Sequence, residues 1–422
     1  MFRVILSACR HSGQKCDDKT RALSWFARLG AGILPTSIID IFRLVVYNML
    51  INIKFVNQEG VSAMIGARLH RARKAAGLSL RDLGENIGVS HTAVSKYEKD
   101  LLMPSSGQLI KLSKALGVRA EYLLRPISVE IEGIEYRKRS NTPKLILNKI
   151  TADVYEQAER WEELLQLYPQ KPVPDFKLPE SLPQSVNSDE EIEAISELMR
   201  HEWDLGLNPV SDLIDTLESR GILVIVSSVD SNNKFDGLAG KLGNKPVIVV
   251  SENWPGDRQR FTLAHELGHL VLAGRLPENM DEERACNLFA GAFLLPRSAV
   301  FEAFGEHRHA LDLNELHMLK EEYGLSMAGI IYRAFQCGII SEGMRQRLFR
   351  LFTQRGWRKV EPGKAYPAEK TWLFSRLVYR ALAEDYFGES NGESKAAELL
   401  GLSLRNFRKE SKLESVSADT YQ

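Results

Sequence analysis

The stretch DRQRFTLAHELGHLVLAG, residues 257–274, carries two histidines four positions apart, with a glutamate directly after the first. In a helix, His265 and His269 lie one turn apart on the same face, so both imidazoles can bind one metal ion. Glu266 lies beside that face, which is where a peptidase needs a general base for the attacking water. The spacing therefore predicts a zinc site with Glu266 as the catalytic base.

The same stretch has an alternative interpretation. Its neighbouring residues are largely apolar, so the helix is expected to be buried, and buried histidines need hydrogen-bond partners. A core helix with two hydrogen-bonded histidines meets that need without a metal. A chain with nine histidines in 422 residues contains this motif by chance in about one case in a hundred, so the spacing alone does not decide. Asp257 and Gly274 are residue types that begin and end helices.

A second apolar helix is predicted at DEERACNLFAGAFLLP, residues 281–296. Asp281 is a typical N-cap residue, and it places Glu282 and Glu283 in the first turn. These acids either favour the helix dipole alone or turn inward to complete a ligand set of two histidines and one glutamate. The spacing does not choose between the two glutamates.

The composition limits the class of protein. The chain has 422 residues, 44% of them hydrophobic, which is enough for two or three domains with separate cores. Its 55 basic and 55 acidic residues cancel, so any attraction to nucleic acid must come from a local patch. The four cysteines contain no CxxC pair, which argues against a disulfide framework and against a cysteine-built zinc site. We therefore expect a reducing, cytoplasmic environment.

Residues 1–63 form an uncertain N-terminal extension. They are basic, and their apolar stretch at 33–55 is interrupted by a proline and by charged residues, so no membrane span is expected. No small-residue cleavage site follows a short apolar core, so a signal peptide is not expected either. The regular helical pattern begins at Met64, which is an alternative start of the natural protein.

A basic patch lies in residues 64–126, which carry 11 basic and five acidic residues. Serines at N-cap positions and glycines at breaks divide this segment into about five short helices. Within it, a helix, a turn from Gly88 to Ser90 and a second short helix have the arrangement that places a recognition helix in the major groove. The alternatives are a solvated basic face and a helix-turn-helix that binds protein.

The segment LSLRDLGENIGVSHTAVSKYEKD, residues 78–100, closely resembles the XRE, or lambda repressor-like, helix-turn-helix family. It departs from the family at Gly84, where a small alanine is usual, and this is expected to loosen the first helix slightly. The resemblance implies binding to a double-stranded DNA operator, with a core formed by Leu83, Ile87, Val89 and Val94. The residues that it implies for contact with DNA are Ser90, His91, Thr92, Ser95 and Lys96, with Arg81 near a phosphate.

The segment between the two motifs changes character along its length. ITADVYEQAERWEELLQLY, residues 150–168, has one apolar helical stripe, and a proline-rich polar run follows it. We interpret residues 127–189 as a helical and proline-rich linker. Beyond it, GILVIVSS at 221–228 and KPVIVVSEN at 245–253 predict two strands, the second directly before the motif helix.

Four stretches together resemble the ImmA/IrrE metallopeptidases: RQRFTLAHELGHLVL, ERACNLFAGAFLLP, YGLSMAGIIYRAFQCGII and RGWRKVEP. In this family the third zinc ligand is the glutamate six residues before the Phe-Ala step, which implies Glu283 rather than Glu282 here. The chain departs from many members at Cys286 and Asn287, where they have Ala-Asn or Ala-His. The resemblance implies a zinc metallo-endopeptidase that cleaves a repressor or an antitoxin.

These observations predict an α+β protein, with an all-α lambda-repressor-like helix-turn-helix domain followed by a zincin-like metallopeptidase domain that has a small β-sheet and a helical C-terminal region. The predicted function is a DNA-binding transcriptional regulator with a zinc-dependent endopeptidase domain, and homodimerisation is left open. The alternative is a non-proteolytic transcription factor or antitoxin whose peptidase-like domain only senses a ligand or partner. The predicted boundaries are 64–126 for the DNA-binding domain, 190–300 for the peptidase core and 301–422 for the C-terminal region.

Overall fold

The computed structural model describes residues 65–125, 131–132, 143–229, 235–388 and 392–410. The predicted extension, residues 1–63, lies outside them. The chain divides into two compact units, Met1–Ile65 with Leu124–Pro126 and Gly66–Leu123 with Ile127–Gln422. Of the first unit the structure describes Ile65, Leu124 and Arg125. Within the described ranges, no helix is long and apolar enough to cross a membrane.

Five short helices form the basic segment over residues 65–125, as the sequence predicts. Ser79, Ser90 and Ser105 each accept the backbone N–H three residues ahead and so cap the helices that follow them. Gly88 and Gly117 end two of the helices at φ values of 74° and 69°. The helices are α1 (Ile65–Ala76), α2 (Leu80–Ile87), α3 (His91–Glu98), α4 (Ser106–Leu116) and α5 (Ala120–Leu124).

Gly84 lies in α2, where this helix meets the turn before α3. A Cβ atom at Gly84 would lie 2.7 Å from the carbonyl oxygen of Val89, so the turn approaches the helix more closely than alanine allows. The close packing of the turn against α2 therefore depends on this glycine, and the expected loosening of the helix stays a prediction. Of the implied core residues, Leu83, Ile87 and Val94 are at most 2% exposed. Val89 is half-buried.

The long helix α6, Lys144–Leu167, occupies much of the segment interpreted as a linker. Its predicted apolar stripe is buried, with Ile150, Val154 and Ala158 at most 1% exposed. The stripe packs against the first of the two predicted strands, and Gln157 donates a hydrogen bond from Nε2 to a backbone carbonyl of that strand at 3.2 Å. The helix is therefore part of the core around the sheet.

The other face of α6 contacts the basic segment through α1. Arg68 is 1% exposed and donates a hydrogen bond from Nη1 to Oε2 of Glu159 at 2.7 Å. Arg71 places its guanidinium carbon 3.6 Å from the centroid of the Tyr155 ring. A buried ion pair and a cation–π contact thus join the helix-turn-helix segment to α6.

The four described strands form one mixed sheet in the order β1-β3-β4-β2. The two predicted strands are confirmed as β2 (Leu223–Ser227) and β4 (Lys245–Ser251), which pair in parallel. Strand β3 (Gly237–Leu242) pairs antiparallel with β4 and was not predicted, because GLAGKL contains no β-branched or aromatic residue. Strand β1 (Ile131–Glu132) pairs antiparallel with β3.

Alternate residues of the two parallel strands face two different cores, as the period of two in a strand requires. Val224 and Ile248 lie in a core shared with the helix that carries the two histidines. Ile225 and Val249 lie in a second core shared with α6. Helices therefore cover both faces of the sheet, and the predicted α+β class with an all-α helix-turn-helix domain is confirmed.

The remaining described helices surround the sheet and continue to the C-terminal side. They are α7 (Asp189–Glu202), α8 (Leu213–Ser219), α9 (Gly256–Leu272), α10 (Glu282–Leu294), α11 (Arg297–Phe304), α12 (Leu313–Tyr323), α13 (Met327–Gln336), α14 (Glu342–Gln354), α15 (Leu373–Ala383), α16 (Gly392–Leu399) and α17 (Leu404–Glu410).

Helix α9 begins directly after β4 and contains the two histidines of the motif. Its N-cap residue is Pro255, so the expectation that Asp257 caps the helix is wrong. Asp257 instead lies in the first turn, is 4% exposed, and forms a 3.0 Å ion pair with Lys320. The lysine is distant in sequence, which is why local patterns did not reveal this pairing. Gly274 follows the end of the helix with a φ of 70°.

Candidate metal centre and recognition helix

The two helices α9 and α10 pack closely enough to bring their polar side chains together. A Cβ atom at Gly268 would lie 3.3 Å from the Cα atom of Cys286 and 3.1 Å from the ring of Phe289. A larger residue at position 268 would therefore push the helices apart. Because Gly268 precedes His269, this close approach sets the distance between the histidines of α9 and the first turn of α10.

Three side chains converge where the helices meet. The Nε2 atoms of His265 and His269 lie 3.0 Å apart. The carboxylate of Glu283 lies 3.5 Å from Nε2 of His265 and 3.8 Å from Nε2 of His269. One donor atom from each of the three lies within 4.8 Å of the others. Two imidazole nitrogens and one carboxylate are a donor set that suits catalytic zinc, so the residues present fit the ion that the sequence predicts.

Neighbouring residues fix the orientation of both imidazoles. Nδ1 of His265 donates to Oδ1 of Asn287 at 3.0 Å, and Nδ1 of His269 donates to Oε1 of Glu282 at 2.7 Å. With the proton on Nδ1 in each ring, the Nε2 lone pairs are directed at the shared cluster. Each histidine thus has a hydrogen-bonding partner at Nδ1, and the Nε2 atoms of both rings face each other and Glu283.

Glu282 and Glu283, between which the residue spacing did not choose, make different contacts in the structure. Glu283 lies on the Nε2 side of both histidines, whereas Glu282 contacts Nδ1 of His269 and its side chain is 59% exposed. Sequence analysis did not find the orienting roles of Glu282 and Asn287. The signal for Asn287 was its position four residues after Glu283, on the same face of α10.

A second group of donor atoms shares one histidine with the first. It consists of His269, Glu282 and Cys286, whose ligand atoms also lie within 4.8 Å of one another. This group uses Nδ1 of His269, which lies 3.1 Å from the buried sulfur of Cys286. Nδ1 of His269 also lies at hydrogen-bonding distance from Glu282, so this carboxylate helps to fix the orientation of the imidazole ring.

Glu266, the predicted base, follows His265 on α9 and is 5% exposed. Its position in the chain places it next to the cluster without using the ligand positions of the two histidines. Glu266 is thus a carboxylate shielded from bulk water and adjacent in sequence to His265.

The residues implied for DNA contact lie along α3 and near the start of α2. Ser95 is half-buried, and the hydroxyl of Ser90 is engaged in the N-cap, where it also hydrogen-bonds the Thr92 hydroxyl at 2.8 Å. The exposed residues among them are Arg81, Ser90, His91, Thr92 and Lys96. The accessible surface of α3 is therefore polar, and Lys96 is its one lysine.

An ion pair holds the end of α3 against α1. Glu98 accepts hydrogen bonds from Nε and Nη2 of Arg73 at 2.5 and 2.9 Å, and His70 lies 2.9 Å from the same carboxylate. Burial by itself would raise the pKa of Glu98, but the hydrogen bonds from Arg73 and His70 outweigh it and hold the pKa below its ordinary value. The carboxylate thus stays ionised and keeps α3 in position.

Comparison with known families accounts for both regions. A helix-turn-helix family model matches residues 69–123, and the IrrE N-terminal-like domain of the M78 peptidase family matches residues 217–335. The chain joins an XRE-type helix-turn-helix domain to an IrrE/ImmA-like peptidase domain. The second match contains α9, α10 and the three residues His265, His269 and Glu283, here called the histidine–glutamate cluster. The resemblance inferred from the sequence motifs is confirmed at this level.

The curated relatives named here are HTH-type transcriptional regulators, and each matches a short part of the chain. An uncharacterized HTH-type transcriptional regulator of Sinorhizobium fredii is 37% identical over 81 residues, which are 19% of this chain and 56% of the relative. The HTH-type transcriptional regulator ImmR of Bacillus subtilis is 35% identical over 60 residues, 14% of this chain and 47% of the relative. The chain thus spans about half the length of these relatives. The P22 c2 repressor, solved with a synthetic operator, is 35% identical over 15% of this chain and 97% of its own, with a TM-score of 0.15.

Proposed function

We propose that the protein is a DNA-binding transcriptional regulator whose IrrE/ImmA-like domain is a zinc-dependent endopeptidase that cleaves a repressor or an antitoxin. The observation that carries the peptidase part is the convergence of Nε2 of His265, Nε2 of His269 and the carboxylate of Glu283 between α9 and α10. These three residues would hold the ion. The orienting contacts to Asn287 and Glu282 support a site that is preorganised for metal.

The chain's own residues supply positioning and proton transfer. A bound zinc ion supplies Lewis-acid polarisation of the scissile carbonyl and of the attacking water. Glu266 accepts a proton from that water and delivers it to the leaving nitrogen of the peptide bond. Because Glu266 is 5% exposed, bulk water competes little for its carboxylate.

The proposal of DNA binding rests on the helix-turn-helix domain and its charge. Residues 64–126 carry 11 basic and five acidic residues in a chain with no net charge overall. Two relatives of the chain are named HTH-type transcriptional regulators. In the proposed complex α3 enters the major groove, and His91, Thr92 and Lys96 approach base edges or phosphates.

Loss of one imidazole is expected to remove the metal. In His265→Ala and His269→Ala too few protein ligands remain for a catalytic zinc site, so both variants should purify with far less than one zinc ion per chain. Elemental analysis of the dialysed full-length chain measures this. Full zinc occupancy in both variants would show that the histidines are not ligands.

The two glutamates provide a matched comparison within one turn of helix. Glu283→Ala removes a predicted ligand and should lose zinc, whereas Glu282→Ala removes only the group that orients His269. We expect Glu282→Ala to bind one zinc ion per chain with roughly 10–100-fold weaker affinity. Competition with a zinc chelator measures both affinities. The reverse pattern would assign the ligand to Glu282.

Removing a single exposed cation from α3 tests DNA binding. Lys96→Ala should weaken operator binding and lower the slope of log affinity against log salt by about one, because one phosphate contact is lost. The control is Lys359→Ala, an exposed lysine outside the helix-turn-helix domain, which should change neither quantity. Salt-independent binding by the unmodified protein, or an equal effect of both substitutions, would contradict DNA recognition by α3.

A further inference from the structure

A second basic segment lies outside the helix-turn-helix domain, in α14 and the turn that follows it. Residues 342–358 carry five arginines and one acid, although the chain has no net charge overall. The acid, Glu342, pairs with Arg345. The other four arginines are exposed, and none forms an ion pair within the described part of the chain. These four residues, here called the arginine patch, are Arg347, Arg350, Arg355 and Arg358.

Helix α14 presents two of these arginines on one side. Arg347 and Arg350 are three residues apart, so their side chains leave the same face of the helix. Leu348 and Phe352 lie on the opposite face and are buried. The helix therefore packs against the core through one face and directs uncompensated positive charge from the other into solvent.

Aromatic rings contact the other two arginines of the patch. The guanidinium carbon of Arg358 lies 4.5 Å from the centroid of the Phe349 ring, and that of Arg355 lies 5.2 Å from the centroid of the Trp357 ring. Both rings are half-buried. A guanidinium that stacks on a ring keeps the N–H groups of its plane available to an anion. Because the ring also restricts the side chain, less conformational entropy is lost when an anion binds.

Two observations favour phosphates of DNA over carboxylates of a protein, since a guanidinium matches both anions. Protein interfaces commonly have an apolar centre, whereas every exposed side chain in residues 347–358 is polar or charged. The chain also has an XRE-type helix-turn-helix domain. When that domain binds DNA, the neighbouring phosphates are present at a high effective concentration for the rest of the chain.

We propose that the arginine patch binds the phosphate backbone of duplex DNA beside the operator, as a sequence-independent contact in addition to that of α3. This inference rests on the proposed DNA binding by the helix-turn-helix domain. An operator fragment no longer than the DNA covered by that domain offers the patch no phosphate. On such a fragment Lys359→Ala, next to the patch, keeps its expected neutral effect.

Fluorescence anisotropy of the full chain with a labelled duplex of mixed sequence and about 40 base pairs tests the proposal, because this duplex offers phosphates to both surfaces. Arg347→Gln/Arg350→Gln removes two charges and should lower the slope of log affinity against log salt by about two. Between about 50 and 200 mM salt, its affinity should therefore fall by roughly 10-fold less than that of the unmodified chain. Thermal unfolding shows whether the variant is folded.

The matched control is Arg376→Gln/Arg380→Gln, which removes the same charge from two exposed residues one turn apart on α15. Asp215 already pairs with Arg376, so the control should leave the slope unchanged. An equal effect of the two double variants would overturn the proposal, because net charge alone would then explain the result.

Lys96→Ala, measured on the same duplex, separates this inference from DNA binding by α3. If Lys96→Ala lowers the slope and Arg347→Gln/Arg350→Gln does not, α3 binds DNA and the proposal for the patch is overturned. If the unmodified chain shows no salt-dependent binding of the duplex, both proposals are overturned. If Arg347→Gln/Arg350→Gln weakens binding of poly-L-glutamate but not of the duplex, the patch binds an acidic protein instead, and the proposal is again overturned.

Discussion

Glu266→Gln is expected to lower the rate of repressor or antitoxin cleavage by at least about 10²–10⁴-fold, while the chain keeps its zinc and its operator affinity. The amide keeps the shape of the side chain and can still form hydrogen bonds, but it cannot accept the proton of the attacking water. Because the predicted ligands are His265, His269 and Glu283, the metal should remain bound. Cleavage of a co-encoded candidate substrate, zinc content and operator binding should be measured on one preparation.

The control for this substitution is Glu321→Gln, an exposed glutamate of α12, which should change none of the three quantities. Loss of zinc together with cleavage would make Glu266 a structural residue. Undiminished cleavage would mean that another group is the base. If neither the unmodified chain nor the variant cleaves any co-encoded repressor while both regulate transcription, the protein acts by binding alone.

Local sequence signals were sufficient for the helix-turn-helix domain. Its serine caps and glycine breaks act within three or four residues, so Ser79, Ser90 and Gly88 could be assigned before the fold was known. The same holds for the spacing of the two histidines, which depends only on the pitch of one helix. Interactions between residues three or four positions apart can be inferred from the local sequence alone.

The rest of the candidate metal site depends on how two helices pack. Glu282 and Glu283 are adjacent in the first turn of α10, so the choice between them follows from the rotation of α10 relative to α9. Residue spacing does not contain that rotation, and only the family resemblance indicated Glu283. The contacts of Asn287 with His265 and of Glu282 with His269 could not be inferred for the same reason.

Long-range partners explain the features that sequence analysis missed or misassigned. Strand β3 contains no strongly β-forming residue and exists because β4 offers an edge with which it pairs. Asp257 appeared to be a helix cap, but Lys320 of α12 draws its carboxylate into a buried ion pair. In both cases the interaction partner lies on another element of the fold. The periodicity of residues along one segment does not reveal such a partner.

Glu369→Ala is expected to lower the free energy of unfolding by about 3–5 kcal/mol, because it leaves a buried guanidinium on α9 without its counter-charge. The side chains of Arg260 and Glu369 are 0% and 5% exposed, and Nη1 of Arg260 donates to Oε1 of Glu369 at 2.5 Å. The other carboxylate oxygen accepts the backbone N–H of Leu213 at 2.8 Å, so the substitution also removes an acceptor at the start of α8. Urea-induced unfolding followed by circular dichroism measures the change.

The matched control uses another arginine of α9, two residues away. Arg258 forms a 2.7 Å ion pair with Asp236, but these side chains are 47% and 52% exposed. Water solvates both groups, so Asp236→Ala should cost only about 0–1 kcal/mol. The difference between the two substitutions isolates the effect of burial on ion pairs of the same helix. Equal losses of stability for the two substitutions, or a loss below about 1 kcal/mol for Glu369→Ala, would mean that water reaches Arg260. The ion pair would then not be what fixes α9, with His265 and His269, in the fold.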